Sequence, residues 1–146
     1  MAQGTLTIFD EAKLAMLNGE MRFDGTNVIK VAFISNTPTA ADAAPTLATN
    51  TECAAGGNYT AGGFDLGTEG LSEAGGTVTY GAAATDIAMA KHASNPTNVF
   101  YGLIYDSTST TPSDQAIGFV EINASGADGT VGAINVTWGA SIFTLA

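Results

Sequence analysis

The sequence predicts a mainly β domain, an antiparallel β-sandwich or open barrel with one short N-terminal α-helix. Three observations carry this. Beyond Gly19 the apolar residues recur with a period near two instead of the helical 3.6. The short apolar runs are separated by clusters of Gly, Asn, Asp, Ser and Pro, residues that turn or break the chain. Only 12% of the 146 residues are charged, while 18 are Gly, and sheets with Thr- and Ser-bearing exposed faces have this texture. The length suits a single domain over 1–146, with a helix in 1–19, a long loop or arm at 36–58 and a β-sandwich in the remainder.

Thr7 to Glu20 (TIFDEAKLAMLNGE) reads as the helix. Thr7 is the expected cap, Asp10 and Glu11 suit the positive end of the helix dipole, and Asn18-Gly19 is the expected stop. At about 100° per residue, Ile8, Phe9, Ala12, Ala15 and Met16 make one apolar face. Leu14 and Leu17 fall outside it as a second stripe, available either to the core or to a neighbouring subunit.

Val28 to Ile34 (VIKVAFI) is a nearly continuous apolar run, as expected of a strand covered on both faces. Further strands are expected at Thr77–Tyr80, Val99–Tyr105, Ala116–Ile122, Val131–Trp138 and Ile142–Leu145. The expected turns between the last four are DSTSTTPSD at 106–114, NASGADGT at 123–130 and GAS at 139–141. Ile134, Val136 and Trp138 share one strand face and Phe143 and Leu145 the next, so a tight Gly139–Ser141 hairpin is expected to make the apolar C-terminal segment part of the sheet. Asn36 to Asn58 is small, polar and interrupted by Pro38 and Pro45. It reads as an arm or long loop, with at most one helical turn near Leu47 to Glu52.

Composition limits the function. Fourteen acidic residues against four basic ones give a net charge of −10, which repels phosphate backbones and anionic lipid surfaces alike. No nucleic-acid or membrane partner is expected, and no run approaches the ~20 apolar residues of a membrane span. MAQGTLTIFDEAK has neither the basic nor the apolar region of a secretory signal. The single Cys53 fits a reducing compartment and no internal disulfide.

The residues offer little to catalysis. One His (His92) and one Cys make no metal-ligating set, and no local signature pairs them as base and nucleophile. The pairs Gly56-Gly57, Gly62-Gly63 and Gly75-Gly76 match no phosphate-binding frame and suit turns and bulges. Asp24-Gly25, Asp106 and Asp128-Gly129 lie in no calcium-loop frame. No catalytic, cofactor or metal residue is assigned, and no enzymatic activity is expected.

Leu17-Asn18-Gly19 closes the helix and Ile29 to Ser35 follows as a strand of the IKVAFIS type. Then come Tyr59-Thr-Ala-Gly-Gly63, Gly102-Leu-Ile-Tyr105, Thr137-Trp138 and Ile142 to Leu145. In this order the chain, from Thr5 to Leu145, resembles a group of small tailed-bacteriophage virion structural proteins of the capsid decoration (cement) type. The Thr- and Ala-rich 36–58 segment departs from that pattern. The resemblance implies a non-enzymatic protein on the outer capsid surface, assembled in the host cytoplasm, stabilising the head and binding the major capsid protein. It also implies a homo-oligomer, with a trimer favoured. Leu14, Leu17, Pro38, Pro45 and Leu47 are the candidate subunit or capsid contacts. A phage tail component is the alternative. So is a small adhesin-like or carbohydrate-binding module, which would need an aromatic platform such as Tyr80, Tyr101 and Tyr105. Removal of 1–19 or 36–58 is expected to weaken attachment more than folding, and removal of 139–146 the reverse.

Overall fold

Ile29 to Ile34 forms the strand on which the fold is organised, buried at every residue except Lys30. The computed structural model describes residues 3–67, 70–81 and 84–145. Along these residues the chain runs β1 (Thr7–Ile8), α1 (Asp10–Leu17), β2 (Ile29–Ile34), β3 (Phe64–Asp65), β4 (Leu71–Ala74) and β5 (Thr77–Tyr80). It continues through β6 (Ile87–Met89), β7 (Tyr101–Thr110), β8 (Ser113–Glu121), β9 (Ile134–Val136) and β10 (Phe143–Leu145). The protein is mainly β, 37% strand and 6% helix, with several antiparallel sheets and one short helix among the described residues, in a sandwich-like arrangement.

A five-stranded sheet has the order β1-β8-β7-β2-β3, a three-stranded sheet the order β10-β5-β4, and β6 pairs with β9. The apolar run of β2 lies between β7 and β3, so a neighbour on each side and side chains on both faces exclude water. Strand β7 is longer than its apolar stretch. It continues through Thr110 and returns as β8 from Ser113, so most of the expected 106–114 turn is a strand ladder with register shifts. Thr tolerates an exposed strand, and Asp106, buried, bonds the Thr108 N–H and hydroxyl across the irregular stretch.

The helix starts later than expected. Thr7 pairs with Phe119 in β1, Phe9 takes the cap position without a side-chain cap, and the Asp10 N–H goes to the Ala40 carbonyl. Sheet pairing thus claims the residue that local chemistry favours as cap. The stop is at Asn18 and Gly19, the latter with φ +73°. Phe9, Ala12 and Ala15 are buried, and Phe9 meets Phe119 with ring centroids 5.1 Å apart.

The expected hairpin at 139–141 does not form. Strand β9 pairs with β6 and β10 with β5, so Gly139 (φ +67°) and its neighbours carry the chain between two sheets. Ile134, Val136 and Trp138 are all buried. Trp138 is anchored by its backbone N–H to Asp86 at 2.9 Å and its ring N–H to the Thr85 carbonyl at 3.1 Å. Phe143 packs against Phe23 and Tyr80 at 5.7 and 5.2 Å; the Leu145 side chain lies outside the described residues.

Segment 36–58 lies along its own domain as a loop. Cys53 N–H bonds the Phe33 carbonyl at 2.8 Å, Leu47 N–H the Asp114 carbonyl at 3.0 Å, and Ala116 N–H the Pro45 carbonyl at 2.9 Å. At 47–52 a single turn closed by the Asn50 N–H on the Leu47 carbonyl at 3.1 Å forms, with no helix. The Thr46 carbonyl accepts from the Thr49 hydroxyl at 3.0 Å and the Asn50 side-chain amide at 2.8 Å, side-chain bonds that compete with continuing the turn as a helix.

Candidate functional site

The helix and the long loop meet where contacts were expected, in part. Leu14 is 53% and Leu17 87% exposed, on the side of α1 away from Phe9, Ala12 and Ala15. Pro38 and Pro45 are buried and Leu47 is half-buried against the core. Burial leaves Pro38 no surface to offer a partner. Pro45 shows only one edge, in a shallow depression of about 160 Å³ that Leu14, Ala44 and Gln115 also line. The structure thus brings Leu14 and Pro45 to one surface and keeps Leu17 proud beside it, while Pro38 is buried and Leu47 is half-buried against the core.

The Tyr59–Gly63 segment is a clasp. The Tyr59 hydroxyl donates to Glu52 Oε1 at 2.8 Å and accepts the Phe33 N–H at 3.0 Å. Gly62 N–H donates to the same Glu52 oxygen at 2.6 Å, and the Tyr105 hydroxyl donates to the Gly62 carbonyl at 2.7 Å. Burial, then the Glu52 hydrogen bond and charge, push the Tyr59 phenol far above its ordinary range. Burial, then the charges of Asp114 and Glu52, push Tyr105 to about 12. Both therefore remain donors, and the arrangement pins β3 and the long loop onto β2 and β7. Gly63 makes this approach possible, since a Cβ there would lie 1.9 Å from the Val31 carbonyl oxygen.

The acidic loops are also occupied locally. Asp24 bonds the Thr26 N–H at 3.0 Å and hydroxyl at 2.5 Å; Asp128 does the same to Thr130 at 2.8 and 2.6 Å. These bonds from the threonine hydroxyls hold both carboxyls below the ordinary aspartate value. Among the described residues no group of three or more His, Cys, Asp and Glu is placed to hold a metal ion.

Cys53 is buried, and burial followed by the Glu52 charge pushes its thiol up to about 11. His92 is exposed, its Nδ1 accepting the Ser94 N–H at 3.1 Å. The two make no hydrogen bond with one another. Tyr80 and Tyr105 are buried and Tyr101 is half-buried against Phe119, so the three form no exposed aromatic platform.

An open groove of about 540 Å³ lies between the end of α1 and the three-stranded sheet, with Met16, Phe23, Leu71, Val78 and Phe143 among its walls. Sequence patterning missed it because β4, with one Leu and one Ala in four residues, has little apolar signal. No protein-family model matches the chain, and neither a curated protein nor a solved structure matches it at a significant level.

Proposed function

We propose that this chain is a non-enzymatic structural protein of a tailed-bacteriophage virion, a decoration protein bound to the outside of the head. Its partners in this reading are the major capsid protein and further copies of itself, with a trimer as the first arrangement. The observation that carries the reading is the apolar stripe of Leu14 and Leu17, 53% and 87% exposed on a helix whose other side is buried. Large aliphatic side chains held out on a rigid element suit a contact surface. The quoted motifs add the resemblance that names the kind of partner.

The physical properties fit such a role. A net charge of −10 keeps free copies soluble and mutually repelling. A weak contact repeated over a capsid lattice gains holding strength from multivalency.

The test is a location. Particles of the source phage imaged with and without the protein are expected to show density at regular positions on the outer shell. Loss of that density should reduce resistance to heat and osmotic shock. Density confined to the tail, or absent from the particle, overturns the reading.

A further inference from the structure

The open edge of β4 and the groove beside it form a site of a different kind. Gly75 and Gly76 have φ of +61° and +83°, the positive pair of a two-residue type I′ hairpin turn. Such a turn makes Ala74 and Thr77 a hydrogen-bonded pair, and the Gly81 N–H to Gly70 carbonyl bond at 3.5 Å has the same parity. Gly70, Ser72 and Ala74 therefore face β5 with their backbone groups. The N–H and C=O of Leu71 and Glu73 face outward, where no strand among the described residues pairs with them.

This edge is lightly guarded. All four residues of β4 are exposed, and it carries no Lys, Pro or register shift; Glu73 is its one charge and does not repel a basic strand. The five-stranded sheet, in contrast, ends on both sides in strands of two residues.

The groove continues the edge. Leu71, Tyr80 and Phe143 lie in one row across the sheet, with Glu73 and Val78 on the same face two residues along. Phe23 covers Tyr80 at 4.5 Å and Phe143 at 5.7 Å, but Leu71 remains 53% exposed. An extended segment added to β4 would bring its alternate side chains over this half-covered apolar face.

Charge selects the occupant. The groove wall carries Asp24 and a single base, Arg22, and Glu73 lies on the same sheet face. Bonds from Thr26 hold the Asp24 carboxyl below its ordinary range. A second copy would bring its own Glu73 and a net charge of −10, whereas a basic segment is steered by the charge of the whole chain and meets Glu73 at the edge. We propose that β4 and its groove take an extended basic segment of another polypeptide, apolar at alternate residues, as a fourth strand of this sheet. The proposal stands independently of any virion role.

The probe is a fluorescein-labelled peptide of alternating Lys and Val, six residues long, with an alternating Glu and Val peptide as control. Anisotropy and amide chemical shifts of the full chain report binding. The Lys peptide is expected to saturate, shift the amides of Leu71 and Glu73, and bind at least tenfold tighter than the Glu peptide. Glu73→Pro removes an outward N–H and the carboxylate that accepts the Gly76 N–H at 3.0 Å, but no backbone bond to β5, and should weaken binding at least tenfold. Glu73→Gln keeps that N–H and should lose less. Leu71→Lys, at an exposed position, gives a second test if the proline variant does not fold, and should also weaken the Lys peptide. Equal binding of the two peptides, shifts confined to other surfaces, or equal loss in the Pro and Gln variants overturns the proposal. A dimer of the chain alone that is lost in Glu73→Pro assigns the edge to a second copy and overturns it too.

Discussion

Tyr59 and Glu52 are joined by a 2.8 Å hydrogen bond in which the phenol donates, while the same phenol oxygen accepts the Phe33 N–H at 3.0 Å. One side chain thus ties the long loop to the central strand. Tyr59→Phe leaves the Phe33 N–H without its acceptor and Glu52 short of a donor. The expected cost is about 1–3 kcal/mol in urea denaturation, the range for stranding a buried polar group.

Alkali should loosen the fold at a defined place. The Cys53 thiol rises from an ordinary 9.0 to about 11 in the folded chain, and the Tyr105 phenol from 10.0 to about 12. Above pH 9 the unfolded chain gives up the thiol proton while the folded chain keeps it, so protonation favours the fold. The contribution of Cys53 is whole below pH 9 and is lost as pH rises through about 11; that of Tyr105 follows between 10 and about 12. Denaturation midpoints measured from pH 8 upward should fall, and Cys53→Ala should flatten the first part of the fall.

Two glycines with positive φ should respond differently to Ala. Gly63 (φ +75°) would place its Cβ 1.9 Å from the Val31 oxygen, while Gly75 (φ +61°) has open space around it. Gly75→Ala is expected to cost about 1–2 kcal/mol, the strain of a left-handed residue. Gly63→Ala adds a backbone clash and should cost about 4 kcal/mol or prevent folding, as thermal unfolding would report.

The two sides of α1 should separate fold from contact. Leu14→Ser with Leu17→Ser, both at exposed positions, should change stability by about 0.5 kcal/mol or less and, under the proposed virion role, reduce self-association and particle attachment. Phe9→Ala, at a fully buried position, should cost about 3–5 kcal/mol. Co-sedimentation with particles and calorimetry distinguish the two. The same packing revises the expectation for deletions: removing 1–19 takes Phe9 from the core, and removing 36–58 takes Cys53 and the loop bonds to Phe33 and Ala116, so both should harm the fold directly.

Removing 139–146 deletes β10 and uncovers Phe23 and Tyr80, whose rings lie 5.7 and 5.2 Å from Phe143. Loss of near-UV aromatic circular dichroism with exposure of apolar surface to a dye is the expected outcome.

Strong periodicity was legible and weak periodicity was not. VIKVAFI announced β2, and TVTY announced β5, because burial on both faces or one leaves a direct mark on residue choice. LSEA left no such mark, since β4 is exposed throughout, and the two-residue strands β1 and β3 are too short for any pattern. At the candidate surface, Leu14 and Leu17 stood out as a stripe unlike the rest of the helix. The Glu52–Tyr59–Tyr105 clasp did not, because its members lie far apart in the chain and no local rule relates them.

Composition and periodicity determined the β class, the single short helix and its Asn18-Gly19 stop, because these depend on neighbours within a few residues. Which strand pairs with which was decided only in three dimensions. Thr7 left its capping role for β8, and the strands on either side of Gly139 took partners in different sheets. A cap or a tight turn has a small local free energy of about 1 kcal/mol. The apolar burial won by joining Phe143 to Phe23 and Tyr80, and by seating Trp138 beside Thr85 and Asp86, is several times larger. Where the two compete, packing prevails.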